Sequence, residues 1–317
     1  MKILFMGTPD FALEILKSVY ESGETLVGVV CQPDKPKGRG HKTTPPPTKV
    51  WAAEKGIPVF QPQTMKDEAF LPTLKELDPD MIIVAAYGKI LPAYILGFPK
   101  YGCICAHGSI LPKYRGAAPM QRALMDGERV TGVTAMYMDE GIDTGDMIYV
   151  EKVEITDDDN FETLHDKMAA AGSRAILRTI ETVKCGEALP RAKQTDDGSS
   201  YAEKITKEDR LIDFTEPVTR IHNKIRGLSP FPKAFTFMPD GNMLQITSSR
   251  CTDKSATGAV PGTVISADTE GFCVACSDGV IQMLEVVPAG KGKMSAADFV
   301  RGRKIAVGDI LGANTDG

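Results

Sequence analysis

The first 180 residues alternate short apolar runs with segments whose apolar residues recur at helical spacing, and this alternation constrains the fold most strongly. Apolar runs at 2–6, 26–31 and 81–86 predict strands, and the third is uninterrupted, which is typical of a strand buried on both faces. The spacing predicts helices over 11–20 and 161–185. Such alternation indicates an α/β, Rossmann-like domain with a mostly parallel sheet, whose reactive groups lie at the carboxyl ends of the strands.

The pattern changes after about residue 190. Residues 191–205 are polar and rich in turn formers, which is typical of a linker. Beyond them, turn signals separate short β-like runs at 234–237, 243–247, 262–266, 272–276 and 281–287. This spacing predicts a small antiparallel barrel. We therefore expect a first domain over 1–190, a linker over 191–205 and a second domain over 206–317.

The composition excludes several classes of protein. Apolar residues make up 42% of the 317 residues and the formal charge is only −5, which excludes a mostly disordered chain. No apolar run approaches the ~20 residues of a membrane helix, and the run at 2–6 is too short for a secretory leader, so we expect a cytoplasmic protein. The turn at 7–10 has one glycine instead of Gly-x-Gly-x-x-Gly, which disfavours a dehydrogenase. Seven irregularly spaced cysteines indicate reduced thiols.

The apolar run at 102–106 leads into a histidine. His107 follows it and precedes a turn rich in Gly, Ser and Pro. A parallel sheet places reactive groups at such a strand end, where an imidazole can transfer a proton near neutral pH. Two other interpretations stay open. His107 could be a core histidine bonded to a backbone carbonyl, or it could bind a metal with Cys103 and Cys105, although a fourth ligand at sensible spacing is lacking.

A basic segment spans residues 34–42. It holds four cations and a histidine and is flanked by prolines, so it should protrude from the fold. A loop of this kind suits a phosphate backbone, and the alternative is a solvated surface loop. Because the whole chain is mildly acidic, a nucleic-acid partner would have to be held by a local basic patch such as this one.

An acidic turn spans residues 138–146, between two predicted strands. Its carboxylates are those of Asp139, Glu140, Asp143 and Asp146. One of them could orient a histidine and raise its basicity. A plain acidic turn or a loosely built cation site are the alternatives, since no standard calcium-loop spacing is present.

Several motifs in order carry a resemblance to a known family. The segments 107–119, which begins His-Gly-Ser-Ile-Leu-Pro, and 141–147, Gly-Ile-Asp-Thr-Gly-Asp-Met, resemble the 10-formyltetrahydrofolate-dependent formyltransferases. The segments 7–12, 32–34 and 36–40 narrow the resemblance to the bacterial members that act on methionyl-tRNA. The resemblance covers nearly the whole chain. It implies an α/β catalytic domain followed by a C-terminal OB-like β-barrel.

The resemblance also implies a reaction and the residues for it. The family moves the formyl group of 10-formyltetrahydrofolate to the α-amino group of methionyl initiator tRNA, for translation initiation. The attacking amine loses protons and the tetrahedral intermediate carries an oxyanion, so a base and a hydrogen-bond donor are needed. By similarity, His107 transfers the proton and Asp143 orients it. The residues expected to bind the folate are Ser109, Ile110, Leu111, Pro112, Tyr87, Gly88, Lys89, Ile90 and Leu91.

Contacts with tRNA are implied in both halves of the chain. In the basic segment, Arg39 is expected to touch the acceptor end, with Lys37 and Lys42 beside it. The C-terminal domain would add phosphate contacts from a candidate patch of Lys291, Lys293, Arg301, Arg303 and Lys304. Binding through such a patch depends strongly on salt. We expect a monomer that binds no metal, no DNA and no membrane.

One position departs from the family pattern. The family has Asn two residues before the histidine, and this chain has Cys105. That asparagine is the family's amide donor to the formyl oxygen, and a thiol is a much weaker donor. Loss of one oxyanion donor typically costs about 10²–10³ in rate. We therefore expect reduced activity, with Cys105 at the donor position.

Two other functions compete with this interpretation. One is formyl transfer to a small-molecule amine, which would need neither the basic segment 34–42 nor a C-terminal barrel. The other is a catalytically weakened, RNA-binding homologue in which Cys105 marks the decay of the site. Retention of His107 and Asp143 argues against the second. A folate-binding assay discriminates the decayed homologue from an enzyme, because a decayed site should not bind the folate.

Overall fold

The computed structural model describes residues 1–37, 42–255 and 258–312. They form two compact units that interleave along the chain. The first unit contains Met1–Pro119, Val130–Glu154 and His165–Ala202. The second contains Met120–Arg129, Ile155–Leu164 and the residues from Glu203 onward. The last segment of the first unit is therefore reached only after the chain has left that unit twice.

In the described chain up to residue 202, the strands are β1 (Lys2–Gly7), β2 (Thr25–Val30), β3 (Lys35–Lys37), β4 (Lys42–Thr44), β5 (Val59–Phe60), β6 (Met81–Ala85), β7 (Cys103–His107), β8 (Arg115–Gly116), β9 (Val130–Tyr137), β10 (Met147–Glu154) and β11 (Tyr201–Ala202). The helices are α1 (Asp10–Glu21), α2 (Pro47–Glu54), α3 (Leu71–Leu77), α4 (Ala93–Leu96), α5 (Pro119–Met125) and α6 (Phe161–Lys184). The predicted strands and helices of this part are present, with ends that differ by one or two residues.

The first unit is built on a seven-stranded sheet in the order β10-β9-β7-β6-β1-β2-β5. Neighbours among β1, β2, β5, β6 and β7 run parallel. Strand β9 runs antiparallel to β7, and β10 antiparallel to β9. Every residue of β6 and β7 is buried, as expected of central strands with both faces covered. The predicted Rossmann-like, mostly parallel sheet is confirmed.

The carboxyl ends of β6 and β7 lie side by side. Val84 of β6 stands opposite Cys105 of β7 in the ladder. The residues that follow β6 and His107 at the end of β7 therefore share one edge of the sheet. Strand β9 passes β7 in the opposite direction, which places Thr134 opposite His107.

The second unit carries the antiparallel sheet. Its elements are α7 (Val218–Gly227), β12 (Ala234–Phe237), β13 (Met243–Cys251), β14 (Val264–Asp268), β15 (Gly271–Ala275), β16 (Val280–Pro288), β17 (Met294–Ser295) and α8 (Ala296–Arg301). The strand order is β12-β13-β16-β15-β14, with β17 paired to β16.

The sheet of the second unit is closed by the end of the described chain. Gly312 bridges Phe237 of β12, while Ile310 bridges Thr263 just before β14. Both outer strands are thereby paired through one segment, which removes the open edges. Phe272 and the other side chains that point inward form a single apolar core with no exposed surface at most positions. The expected C-terminal OB-like barrel is confirmed as an antiparallel barrel.

No helix in the described residues combines the length and the apolar character needed to cross a bilayer.

Candidate active site

His107 ends β7 with its side chain only 6% exposed. Its Nε2 lies 2.9 Å from the carbonyl oxygen of Tyr114. A carbonyl can only accept, so Nε2 carries the hydrogen and donates it. The other ring nitrogen, Nδ1, faces Asp143, with 3.4 Å between Nδ1 and Oδ2. The ring of His107 is therefore both bonded to a backbone carbonyl and placed beside a carboxylate.

Asp143 lies in the turn between β9 and β10, and the turn holds its carboxylate in place. Oδ2 accepts a hydrogen bond of 2.8 Å from the backbone N–H of Gly116. The backbone of Asp143 has φ of +55°, in the left-handed region that a non-glycine residue rarely occupies. The tertiary structure thus brings together His107 and Asp143, which are 36 positions apart, while the side chain of Asp143 keeps 20% of its surface exposed.

Cys105 shares a face of β7 with His107, because alternate residues of a strand point to the same side. The thiol is buried in an apolar cluster that includes Tyr87, Leu111 and Met136. Burial raises the pKa of the Cys105 thiol far above its ordinary value, and the nearby Asp143 carboxylate adds to the rise. The thiol is therefore neutral, and it offers one weak S–H donor beside the imidazole.

The turn that leaves His107 is tied down at both of its ends. Ser109 Oγ donates to the carbonyl oxygen of Lys113 over 2.6 Å. Thr134 Oγ1 donates to the carbonyl oxygen of Ser109 over 2.7 Å and accepts from Leu111 N–H over 3.2 Å. The Leu111–Pro112 peptide bond is cis. No motif pointed to Thr134, because its role depends on the register between β9 and β7.

The loop that leaves β6 divides between core and surface. The side chains of Tyr87 and Leu91 are buried, and burial raises the pKa of Tyr87 to about 12. Lys89 Nζ donates to the carbonyl oxygens of Pro62 and Gln63, at 3.1 Å each. Ile90, in contrast, is 70% exposed. Among the residues that the structure describes, no hydrogen bond engages the backbone N–H groups of this loop, which leaves polar backbone beside an exposed apolar side chain.

A segment predicted as part of the linker also reaches this site. Gln194 Nε2 donates to the carbonyl oxygens of Asp143 and Gly145, at 2.8 Å each. Ser200 Oγ accepts from Tyr114 N–H over 2.9 Å. The sequence carried no signal for either residue, because both act through partners more than 45 positions away.

The basic segment is only partly described. Lys37 and Lys42 pair across the short β3–β4 hairpin, and Arg39 lies outside the described residues. The base of the hairpin is braced by Lys49, whose Nζ lies 2.8 Å from both carboxylate oxygens of Asp34. Gln61 joins this pair by donating to Asp34 over 2.7 Å.

The C-terminal cations differ in their surroundings. Lys293 forms an ion pair with Glu285 at 3.1 Å, and Arg301 one with Asp298 at 2.8 Å. Within the described chain no ion pair engages the exposed side chains of Lys291, Arg303 and Lys304. The patch therefore offers fewer unpaired charges than its residue types alone indicate.

No cluster of three or more His, Cys, Asp or Glu side chains suited to a metal ion occurs among the described residues. Cys103 packs in the apolar cluster, with Sγ 3.5 Å from the carbonyl oxygen of Ile95. All seven cysteines are free thiols.

Two family models match the chain. The model described as "Formyl transferase" matches residues 1–180, and "Formyl transferase, C-terminal domain" matches residues 204–304. Among curated proteins, the methionyl-tRNA formyltransferase of Geotalea uraniireducens is 45% identical over 312 residues, 98% of each chain. The protein of the same name from Bacillus subtilis strain 168 is 43% identical over 316 residues, 99% of each chain.

Solved structures share the fold at lower identity. An N-formyltransferase from Helicobacter canadensis, in complex with folinic acid and dTDP-3-aminofucose, has a TM-score of 0.65 at 20% identity and covers 89% of this chain and 98% of its own. HypX from Aquifex aeolicus, in complex with tetrahydrofolic acid, has a TM-score of 0.64 at 16% identity, over 97% of this chain and 48% of its own. At these identities the likeness establishes the fold alone.

Proposed function

This chain belongs to the methionyl-tRNA formyltransferases, and from that premise we propose that His107, Asp143 and Cys105 serve its reaction. The reaction transfers the formyl group of 10-formyltetrahydrofolate to the α-amino group of methionyl initiator tRNA, for translation initiation. The observation that carries the residue assignment is the His107–Asp143 pair at the carboxyl end of β7. A parallel sheet presents its reactive groups at this edge.

His107 is the proton acceptor in this proposal. Because Nε2 donates to Tyr114, the lone pair of the neutral ring is on Nδ1. Nδ1 can take up a proton that the attacking amine loses, and Asp143 stabilises the imidazolium that forms. The imidazolium then returns the proton to N10 of tetrahydrofolate as the bond between that nitrogen and the formyl carbon breaks. Asp143 in turn is oriented by the N–H of Gly116.

Cys105 is the hydrogen-bond donor to the formyl oxygen, which gains negative charge when the amine attacks. Its raised pKa keeps the thiol protonated, so that the group does not repel this charge. An S–H group is nevertheless a weak donor, and it provides less stabilisation than the carboxamide of the family pattern. We therefore expect an enzyme that is functional but slower than family members that carry the carboxamide.

The folate is proposed to bind along the ends of β6 and β7. When bound, 10-formyltetrahydrofolate supplies the formyl group. The N–H groups of 87–91, which no described residue engages, suit the polar atoms of a pterin ring, and the exposed Ile90 offers an apolar wall. The turn 109–112 would hold the folate from the side of β7, where Thr134 keeps its backbone in place.

The tRNA is proposed to contact the basic hairpin through Lys37, Arg39 and Lys42. Further phosphate contacts would come from the patch of Lys291, Lys293, Arg301 and Arg303. We propose a catalytic domain over 1–190, a linker over 191–205 whose residues up to Ala202 pack with the first unit, and a tRNA-contacting domain over 206–317. We also propose that the enzyme is a cytoplasmic monomer without DNA or membrane partners.

Single-turnover formylation of methionyl initiator tRNA tests the proposal. The native protein, Cys105→Asn and Cys105→Ala are compared with 10-formyltetrahydrofolate as donor. We expect transfer by the native protein and an increase of about 10- to 100-fold for Cys105→Asn, because an amide replaces a weak donor. Cys105→Ala is the matched control without any donor, and it should be slower than the native protein.

Other outcomes would overturn parts of the proposal. Equal rates for all three proteins would show that position 105 does not contact the formyl oxygen. Absence of transfer by every protein, with tetrahydrofolate still bound, would reject the tRNA acceptor and favour a small amine. Loss of folate binding as well would favour a decayed, RNA-binding homologue.

A further inference from the structure

The segment 192–202 is held along the catalytic residues at both of its ends. At one end, Ala192 and Met147 exchange two backbone hydrogen bonds of 2.9 Å. At the other end, β11 pairs in parallel with β8, which places Ala202 beside Gly116. Gln194 and Ser200 lie between these anchors, so their side chains are presented to the site by a fixed backbone.

The carboxamide of Gln194 has one possible orientation. Its Oε1 accepts from Arg115 Nε over 3.0 Å, and a guanidinium can only donate. Its Nε2 therefore faces the carbonyl oxygens of Asp143 and Gly145, to which both of its hydrogens are directed. A glutamate at this position could still accept from Arg115, but it could not donate to either carbonyl.

The two carbonyls that Gln194 binds bracket a strained turn. Asp143 has φ of +55°, and a non-glycine residue keeps this conformation only where its surroundings impose it. The hydrogen bonds from Gln194 to the backbone carbonyls of Asp143 and Gly145 impose this conformation on the backbone. On the other side, Gly116 N–H binds the carboxylate, and Gly116 is itself paired to the same segment.

The imidazole is supported by the same segment. Ser200 Oγ accepts from Tyr114 N–H, and Arg115 N–H donates to the carbonyl oxygen of Ser200 over 2.8 Å. Tyr114 provides the carbonyl that fixes His107 Nε2. One stretch of chain thus holds both members of the catalytic pair.

We propose that Gln194 is a positioning residue for formyl transfer, acting by holding the Asp143 carboxylate against His107. The inference rests on the proposed function and adds to it a residue that does not touch the substrates. Displacement of a reacting group by about 1 Å can cost roughly 10²-fold in rate. Loss of Gln194 should therefore lower kcat while the KM values for folate and tRNA stay close to native.

A double-mutant cycle with Asp143→Asn tests this role. Gln194→Glu and Gln194→Leu are each made in the native and the Asp143→Asn background, and kcat and both KM values are measured. In the native background we expect kcat to fall about 10- to 100-fold. In the Asp143→Asn background the same changes should cost less than about 3-fold, because the carboxylate they position is already gone.

Thr195→Ala is the matched control. Thr195 is exposed on the same segment, and among the described residues its hydroxyl makes only a 3.5 Å contact with the Asp197 carbonyl. The kcat of Thr195→Ala should therefore equal the native value. Thermal unfolding and tetrahydrofolate binding of each variant report whether the fold is retained. Gln194→Glu preserves size and polarity, so it separates the loss of two donors from a packing defect.

Two results would overturn the inference while the native enzyme is active. One is an unchanged kcat in Gln194→Glu and Gln194→Leu. The other is an equal fold-loss in both backgrounds, which would mean that Gln194 acts independently of Asp143. An inactive native protein would instead contradict the proposed function.

Discussion

At the scale of single residues, the chemistry of the site depends on the burial of one thiol. Cys105, the proposed donor to the formyl oxygen, lies in an apolar cluster beside a carboxylate. Both surroundings favour the neutral thiol over the thiolate. Proximity to His107 therefore does not make Cys105 a nucleophile, and the proposed function assigns it only a weak hydrogen bond.

This protonation state predicts a pattern of thiol reactivity. Treatment of the folded protein with iodoacetamide at about pH 8.5 should label the exposed Cys185 and Cys251 but not Cys105, because alkylation requires an accessible thiolate. Peptide mass spectrometry measures the labelling of each site. Denatured protein is the control, in which Cys105 should react as fast as the others. Rapid labelling of Cys105 in the native protein would contradict a buried, neutral thiol.

At the scale of elements, β9 does more than extend the sheet. Its antiparallel register with β7 places Thr134 opposite His107, and the Thr134 hydroxyl then binds the turn 109–111 on both sides. Since the turn is proposed to hold the folate, we expect the strand next to β7 to control the shape of the folate site. A shift of the register by one residue would turn Thr134 to the other face of the sheet.

Thr134→Val tests this role of β9. Valine keeps the shape and the β-branch but leaves Ser109 O and Leu111 N–H without their partner. We expect tetrahydrofolate binding to weaken about 10-fold and the free energy of unfolding to fall by about 1–3 kcal/mol. Calorimetric titration and urea denaturation measure the two effects. Thr131→Val is the matched control, because this buried threonine of β9 does not bind the turn; equal effects of both variants would refute the assignment.

At the scale of the whole molecule, buried thiols in both units tie stability to pH. Burial raises the pKa of Cys103 from 9.0 to about 12 and that of Cys276 to about 12. The pKa of Cys31 rises to about 11 for the same reason. A thiol with a raised pKa in the folded state favours folding fully below the unfolded value of 9.0, and this contribution is lost as the pH rises toward the folded value. Stability should therefore decline above about pH 9.

Cys103→Ala isolates one such thiol. Between pH 7.5 and pH 10.5 the native protein should lose about 2 kcal/mol more of its unfolding free energy than the variant does. Urea denaturation at each pH measures the difference. The stability lost through the smaller alanine side chain is the same at every pH, so it cancels. The pKa of Cys185 is also raised, by partial desolvation and by Glu181, but solvent screens this exposed site, so Cys185→Ala should decline nearly in parallel with the native protein. Parallel curves for Cys103→Ala as well would contradict the raised pKa.

Features that depend on neighbours in the chain could be predicted from the sequence. The apolar run of β6 and the helical spacing of α1 and α6 are local patterns, and burial enforces both of them. The position of His107 at a strand end could be predicted in the same way, from the apolar run that precedes it. The short β-like runs from residue 234 onward, separated by turn signals, likewise predicted the antiparallel sheet of the second unit.

Only the tertiary structure decided which distant groups meet. The sequence by itself determined that the chain has a histidine at a strand end and an acidic turn. It did not determine that Asp143 approaches Nδ1 of His107, that β9 places Thr134 beside the turn, or that Gln194 spans 79 positions to bind Arg115. Strand register and the course of a polar segment arise from packing of the whole unit, because hydrogen-bond partners of this kind leave no periodic trace in the sequence.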